Sequence, residues 1–331
     1  MKNKINIAQI GVGYWGPNLL RNLIENKHCL VKYVVDLSKD RRDYVRRKYP
    51  FIKVLKQIDL ILDDKELDAV IISTPVATHF ELCMSFLNAG INVLVEKPMA
   101  TKSLEVRKIG EVAKKKNLVA MVGHTFIYNS AVRYVKKIID SQELGDIRYI
   151  YSQRVNLGRI RNDVDAMWNL APHDISIIQY WLNDSKPIKV KRFGTAYVQK
   201  NIEDVVFLNI KYPNNILANI HVSWLDPNKI RKMTIVGSKK MVVYDDIAED
   251  KVTIFDKGID KVSVLGEGMD FDSSNSFEFK HRAGNVVVPK IKWEEPLKIE
   301  IEHFLNCILK KEKCITDALH AYNVVEILEK A

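Results

Sequence analysis

Residues 5–24 read INIAQI, GVGYWG, PNLLRNLI, and the fold turns on how that stretch divides. INIAQI is an apolar, β-branched run. Gly11-Val12-Gly13-Tyr14-Trp15-Gly16 follows without a break, and PNLLRNLI then places apolar residues at helical spacing, with Pro17 suited to a first turn. Strand, tight turn and helix in that order form the setting in which a GxGxxG motif gains meaning. The glycines allow a sharp turn and let a pyrophosphate approach the backbone, where helix N-terminal amides meet its charge. Asp36 ends the next strand pattern, LVKYVVD, twenty residues past Gly16, the position expected to hold an adenine ribose. Gly11, Gly13, Tyr14, Trp15, Gly16, Asp36 and Ser38 are therefore the expected contacts of a dinucleotide. A carboxylate at Asp36 repels a 2′-phosphate, which favours NAD over NADP; Arg41 and Arg42 nearby pull the other way.

Outward from this stretch, short β-branched runs alternate with helical patterns as far as LVAMVG, the signature of a parallel sheet covered on both faces. Residues 1–123 are expected to form a doubly wound α/β Rossmann domain. After Leu144-Gly145-Asp146 the runs lengthen and alternate: IRYIYSQRV, KVKRFGTAYVQ, DVVFLNIKY, ILANIHVSW, KMTIVG and KMVVYDD. Pro213-Asn214-Asn215 between two of them marks an antiparallel hairpin. Residues 124–331 are thus expected to be an α+β domain on a large, open, mainly antiparallel sheet. One helix is expected near residues 174–182, and helices at 297–310 and 317–330 close the chain and can pack back on the first domain.

Among 331 residues, 51 Lys and Arg against 41 Asp and Glu give a net charge of +10, spread along the chain. This suits anionic small substrates. No aromatic-interleaved basic motif accompanies it, so nucleic acid is not an expected partner. MKNKINIAQI enters a strand pattern with no apolar leader, and no 18-residue apolar window occurs, so a cytoplasmic protein without membrane attachment is expected. Cys29, Cys83, Cys307 and Cys314 form neither a CxxC pattern nor a disulfide framework, and the eight histidines show no HxxxH or HExxH spacing, so no metal site is expected.

Residues 93–100, VLVEKPMA, end a buried-looking strand with Glu96-Lys97-Pro98. Ligands of open α/β sheets sit beyond the carboxyl ends of the strands, so Lys97 is expected to face the nicotinamide end of the site. With GVGYWG, STPVATH at residues 73–79, VEKP and the terminal helix pair, the chain resembles the Gfo/Idh/MocA family of nicotinamide oxidoreductases over nearly its whole length. The resemblance implies hydride transfer between NAD and a sugar or polyol hydroxyl, and that the domain of residues 124–331 serves substrate binding and oligomerisation. It implies that Lys97 orients the substrate hydroxyl, and that Thr74, Pro75, His79 and Glu96 lie around the cofactor; for His79 a helix-capping or packing role is the competing reading.

Where the family usually shows Asp-x-x-x-His, this chain has Asn169 and His173. An amide cannot exchange a proton at neutral pH, so acid/base work falls to His173, to Lys97, or to both. Asp174 reads as a charge at a helix start, or as a replacement for the missing carboxylate. Tyr128, Asn129, Arg154, Asn156, Arg159, Trp168, Asn169 and His173, with Lys97, are the expected substrate contacts, the arginines gripping a phosphate. RVNLG, the 168–173 stretch and the basic cluster resemble the branch that oxidises UDP-linked N-acetylamino sugars at C3. Free sugar or inositol oxidation, NAD-dependent glycosidase chemistry and a non-catalytic nucleotide-sensing regulator are the alternatives. The open sheet predicts a homodimer or homotetramer.

Overall fold

The computed structural model describes residues 4–263 and 277–331. Its chain divides into two compact units: residues 1–129, 175–184 and 293–331, and residues 130–174 and 185–292.

The first unit begins with β1 (Ile5–Ile10), α1 (Gly16–Glu25), β2 (Cys29–Val35), α2 (Lys39–Lys48), β3 (Lys53–Leu55), a single turn α3 (Asp59–Leu62) and β4 (Ala69–Ile72). It continues through α4 (His79–Asn88), β5 (Asn92–Glu96), α5 (Ser103–Lys115) and β6 (Ala120–Gly123). The six strands run parallel in the order β3-β2-β1-β4-β5-β6. All four residues of β4 are buried, as a strand covered on both faces requires. Strand order reverses between β1 and β4, and such a switch point opens a crevice at the carboxyl ends. Ser73 N donates to Ile10 O at 2.8 Å and Gly11 N to Val35 O at 2.8 Å, so the glycine turn leaves β1 at that point.

The second unit carries α6 (Ser130–Asp140), β7 (Ile147–Val155), α7 (Ala166–Trp181) as far as Asp174, β8 (Lys189–Thr195), β9 (Val205–Lys211), β10 (Leu217–Ser223), β11 (Ile230–Gly237), β12 (Met241–Asp245), β13 (Val252–Ser263) and β14 (Phe277–Val287). Among the described residues its sheet has eight strands, ordered β14-β13-β12-β11-β7-β10-β9-β8, and only β7 and β10 pair in parallel. The expected hairpin is β9–β10: Asn214 and Asn215 take φ of 55° and 59° between them, a conformation asparagine tolerates better than most residues. The doubly wound domain and the mainly antiparallel sheet both stand as expected.

One element differs. The helix expected from about residue 174 starts at Ala166, with Asp165 Oδ1 accepting from Trp168 N at 2.8 Å as its cap. Pro172 lies inside it and breaks the pattern that would have revealed it.

The chain closes with α8 (Pro296–Leu309) and α9 (Ala318–Lys330), both in the first unit. Ile301, Phe304 and Leu305 of α8 share a core with Leu19, Leu20 and Leu23 of α1. A Cβ on Gly110 of α5 would stand 2.9 Å from the Ala318 Cβ, so the glycine is what lets α9 lie so close. Val122 N donates to Thr316 O at 2.9 Å and Met121 bridges Asp317, which covers the edge strand β6. Among the described residues no helix is long and apolar enough to cross a membrane.

Candidate active site

The glycine turn is shaped by close approach. Gly11 has φ of 89°, and a Cβ there would lie 2.7 Å from Ser73 O; Ser73 Oγ in turn donates to Gly11 O at 2.8 Å. A Cβ on Gly16 would lie 2.9 Å from Gly11 O, whereas the space beside Gly13 is open. Gln9, fully buried in β1, donates from Nε2 to Gly11 O at 3.0 Å and Gly16 O at 2.8 Å, pinning both ends of the turn. No acidic residue occupies the first turn of α1, so no side-chain charge there opposes the positive end of the helix dipole. Open space over Gly13 and that helix N-terminus fit a pyrophosphate.

Asp36 stands where expected. Its Oδ2 accepts from Val12 N at 2.7 Å and its Oδ1 from Ser38 N at 2.8 Å, fixing the carboxylate beside the turn. Ser38 caps α2. Arg42 is turned to the backbone, Nη1 donating to Asp36 O and Leu37 O, each at 2.8 Å. Tyr14 is exposed, and Thr74 Cγ2 stands against Gly11.

His79 corrects the expectation of direct cofactor contact. It is buried, its Nδ1 is 2.8 Å from Pro98 O and its Nε2 is 2.9 Å from Thr74 O, and burial holds its pKa below the usual histidine value. It links the loop after β4 to the loop after β5. Through it the backbone that carries Thr74 and Pro75 is tied to the backbone that carries Lys97.

Glu96 explains the charged strand end. Its Oε2 accepts the Lys97 amide at 3.3 Å. A Cβ on Gly123 would lie 3.3 Å from Glu96 Oε1, so a larger residue in β6 would press on the carboxylate. Burial pushes the Glu96 carboxyl up to about 7, against the opposing pull of Lys97. Glu300 of α8, which accepts from Thr125 Oγ1 at 2.9 Å, is held well above the usual range by burial and by Glu96. His124 is buried and driven well below the usual range by burial, His320 and Lys97. His320 lies edge-on to it at 5.2 Å between ring centroids and has its Nδ1 2.7 Å from Asp184 Oδ1. A layer of buried polar groups thus surrounds the carboxyl ends of β5 and β6. Gln9, Glu300, His124 and His320 escaped the sequence reading; a glutamine inside INIAQI was the one local signal.

The Glu96 shift has a consequence for stability. The folded chain holds this proton to about pH 7 while an unfolded carboxyl releases it near 4.5. The stabilisation is complete below 4.5 and is lost as pH rises through about 7. His79 and His124, with lowered values, oppose it by losing stability as pH falls below 6.5. Glu96→Gln leaves the histidines in place. Urea unfolding across this window is expected to show wild-type stability falling relative to the variant by on the order of 2 kcal/mol as pH rises; parallel profiles contradict the burial argument.

In the second unit, Asn169 and His173 lie one turn apart on α7, the spacing that puts two side chains on one helical face. Trp168 is partly buried on the same helix. Asp174 is not at a helix start: it sits within α7, buried, and pairs with Arg154 of β7, Nε to Oδ2 at 2.7 Å and Nη2 to Oδ1 at 3.1 Å. This corrects two expectations. Asp174 neither caps a helix nor replaces the missing acid, and Arg154 spends its guanidinium fork inside the fold, not on a phosphate. Asn156 Oδ1 accepts from Arg231 Nη2 at 2.6 Å. Arg159 is exposed, and Arg161 pairs with Asp163, Nε to Oδ1 at 2.8 Å. Tyr128 of the first unit is buried with its hydroxyl 2.9 Å from Thr316 Oγ1, so it packs and offers no stacking face; Asn129 is also buried.

A glycine turn at a switch point with an anchored acid at the end of β2 defines a dinucleotide-binding fold, and comparison with known proteins gives the family. Residues 5–124 match the model of an oxidoreductase family with an NAD-binding Rossmann fold, and residues 132–243 match the GFO/IDH/MocA C-terminal domain. The chain belongs to the Gfo/Idh/MocA family of NAD-binding oxidoreductases.

An uncharacterised oxidoreductase of Streptococcus pneumoniae is 24% identical over 228 residues, 65% of this chain and 61% of its own length. UDP-N-acetylglucosamine 3-dehydrogenase of Acidithiobacillus ferrooxidans is 24% identical over 283 residues, 82% of this chain and 80% of that protein. Its solved structure superposes with a TM-score of 0.80 at 22% identity, covering 98% of this chain and 96% of that one. NAD-dependent scyllo-inositol 2-dehydrogenase of Bacillus subtilis is 22% identical over 331 residues, 96% of this chain and 90% of its own. At such identities the structural likeness shows the fold.

Proposed function

We propose that this chain is an NAD-dependent dehydrogenase of a sugar hydroxyl, acting on C3 of a UDP-linked N-acetylamino sugar. The observation that carries the reading is the His79 bridge, whose ring nitrogens lie 2.8 Å from Pro98 O and 2.9 Å from Thr74 O and so tie the backbone that carries Lys97 to the loop that stands against Gly11 of the cofactor cradle. When bound, NAD supplies the acceptor for the carbinol hydride. Lys97 donates a hydrogen bond to the carbinol oxygen and stabilises negative charge on it; His173 takes its proton. Asn169, one helical turn from His173, orients the ring or the substrate by hydrogen bonding. Asp36 disfavours a 2′-phosphate, which supports NAD over NADP. Similarity to a UDP-N-acetylglucosamine 3-dehydrogenase supports the substrate class.

The second reading is oxidation of a free polyol. It gains from Arg154, whose enclosure with Asp174 removes one of the arginines assigned to phosphate, and from similarity to an inositol dehydrogenase. The domain that follows residue 123 is proposed to bind the substrate and to mediate homo-oligomerisation. Its strands β7–β10 expose Tyr149, Phe193, Phe207 and Leu217, with Phe193 opposite Phe207 and Leu217 opposite Tyr149.

The test is reduced-nicotinamide formation by the purified chain with NAD or NADP against UDP-N-acetylglucosamine, UDP-glucose, glucose and scyllo-inositol. Turnover is expected with NAD and the UDP-amino sugar. Turnover of scyllo-inositol alone replaces this reading with the second, and release of a sugar without net reduction of NAD replaces both with glycosidase chemistry.

A further inference from the structure

His303 and Cys307 stand four residues apart on α8 and so share a face. After Leu309 the chain turns back through Lys311, with φ of 57°, and returns Cys314 to that face. One nitrogen of His303 and the sulfurs of Cys307 and Cys314 consequently lie within 4.8 Å of one another. His303 Nε2 is 3.4 Å from Cys307 Sγ. Around a tetrahedral ion with metal–sulfur bonds of about 2.3 Å and metal–nitrogen bonds of about 2.0 Å, sulfur and nitrogen ligands are separated by roughly 3.5 Å. These side chains therefore stand at ligand spacing.

Two surroundings point the same way. The other ring nitrogen, Nδ1, faces Glu312 Oε2 at 3.8 Å, the placement from which a carboxylate orients a metal-bound imidazole. Cys307, Glu312 and Cys314 also line a surface cleft of about 740 Å³ beside α5 and α9, through which an ion can enter and a fourth ligand can reach it.

We propose that His303 Nε2, Cys307 Sγ and Cys314 Sγ bind one thiophilic divalent metal ion of the zinc type, with Glu312 orienting the imidazole and water from the cleft completing the tetrahedron. Binding releases the two thiol protons. It also displaces the Ile315 N–H, which donates to His303 Nε2 at 3.1 Å. The segment so clamped continues into Thr316, bonded to β6, and Asp317, which caps α9. The ion is thus structural, joining the α8–α9 connection to the edge of the first sheet. None of its ligands belongs to the cofactor cradle.

The experiment is cobalt(II) and zinc(II) titration of the reduced full-length chain, its thiols confirmed free by thiol titration. Expected are one equivalent of cobalt with a thiolate charge-transfer band, displacement by one equivalent of zinc, and a rise in unfolding temperature on adding zinc. Cys307→Ser and Cys314→Ser are expected to lose the charge-transfer band, and Glu312→Gln, which leaves all three ligands intact, to weaken zinc binding about 10-fold to 100-fold. A reduced wild-type chain without a cobalt–thiolate band overturns the proposal, as does a band unchanged in both cysteine variants. These readouts are independent of sugar oxidation.

Discussion

Lys97→Met is expected to lower kcat for NAD reduction by roughly 10²-fold to 10³-fold, the range associated with losing one preorganised donor to a developing oxyanion. Methionine keeps much of the length and apolar character of the lysine stem and removes the ammonium. NAD affinity should change little, because the cradle is built from Gly11, Gly13, Gly16 and Asp36, held by Gln9, Val12 and Ser38. The loss therefore belongs in kcat and kcat/KM together, the pattern of an interaction made in the transition state. Lys97→Arg is not expected to rescue, since a planar fork does not replace a point charge. A Lys97→Met enzyme within about threefold of wild-type kcat removes Lys97 from the mechanism.

Arg154→Leu is expected to destabilise the fold by about 3 kcal/mol, at the lower end of the range for breaking a buried ion pair. The two side chains are 4% and 1% exposed, and the change strands the Asp174 carboxylate away from water. Arg231 moderates the cost. Its own pKa is lowered, chiefly by burial and then by Arg154, so removing Arg154 relieves a repulsion while leaving a cation near Asp174. Arg154→Leu combined with Asp174→Leu should recover most of the loss, because a pair of apolar side chains leaves no buried charge. Equilibrium urea unfolding measures both. A cost under about 1 kcal/mol for the single change contradicts the buried-pair account.

The features legible in the sequence are those set by local demands. Gly11 needs a positive φ and a bare Cα, Asp36 ends the second strand, and EKP interrupts an apolar run; each requirement lies within a few residues of its signal. The alternating runs of the second half expose the antiparallel sheet for the same reason. Long-range pairings left no such trace. Glu300 meets Thr125 across 175 positions, and His320 meets Asp184 across 136. Arg154 read as a phosphate ligand because its register in β7 against α7, which hands it to Asp174, has no sequence signature. The α7 start was hidden by Pro172. Cys307 and Cys314 match no metal spacing because a turn of helix and a reversing loop, not a short motif, bring them to His303.

Hydride abstraction from C3 is tested most directly with UDP-N-acetylglucosamine deuterated at that carbon. The account predicts a primary isotope effect on single-turnover NAD reduction and recovery of the deuterium on the reduced nicotinamide. Reduced nicotinamide formed without deuterium, or no reduction of NAD by this sugar at all, contradicts it.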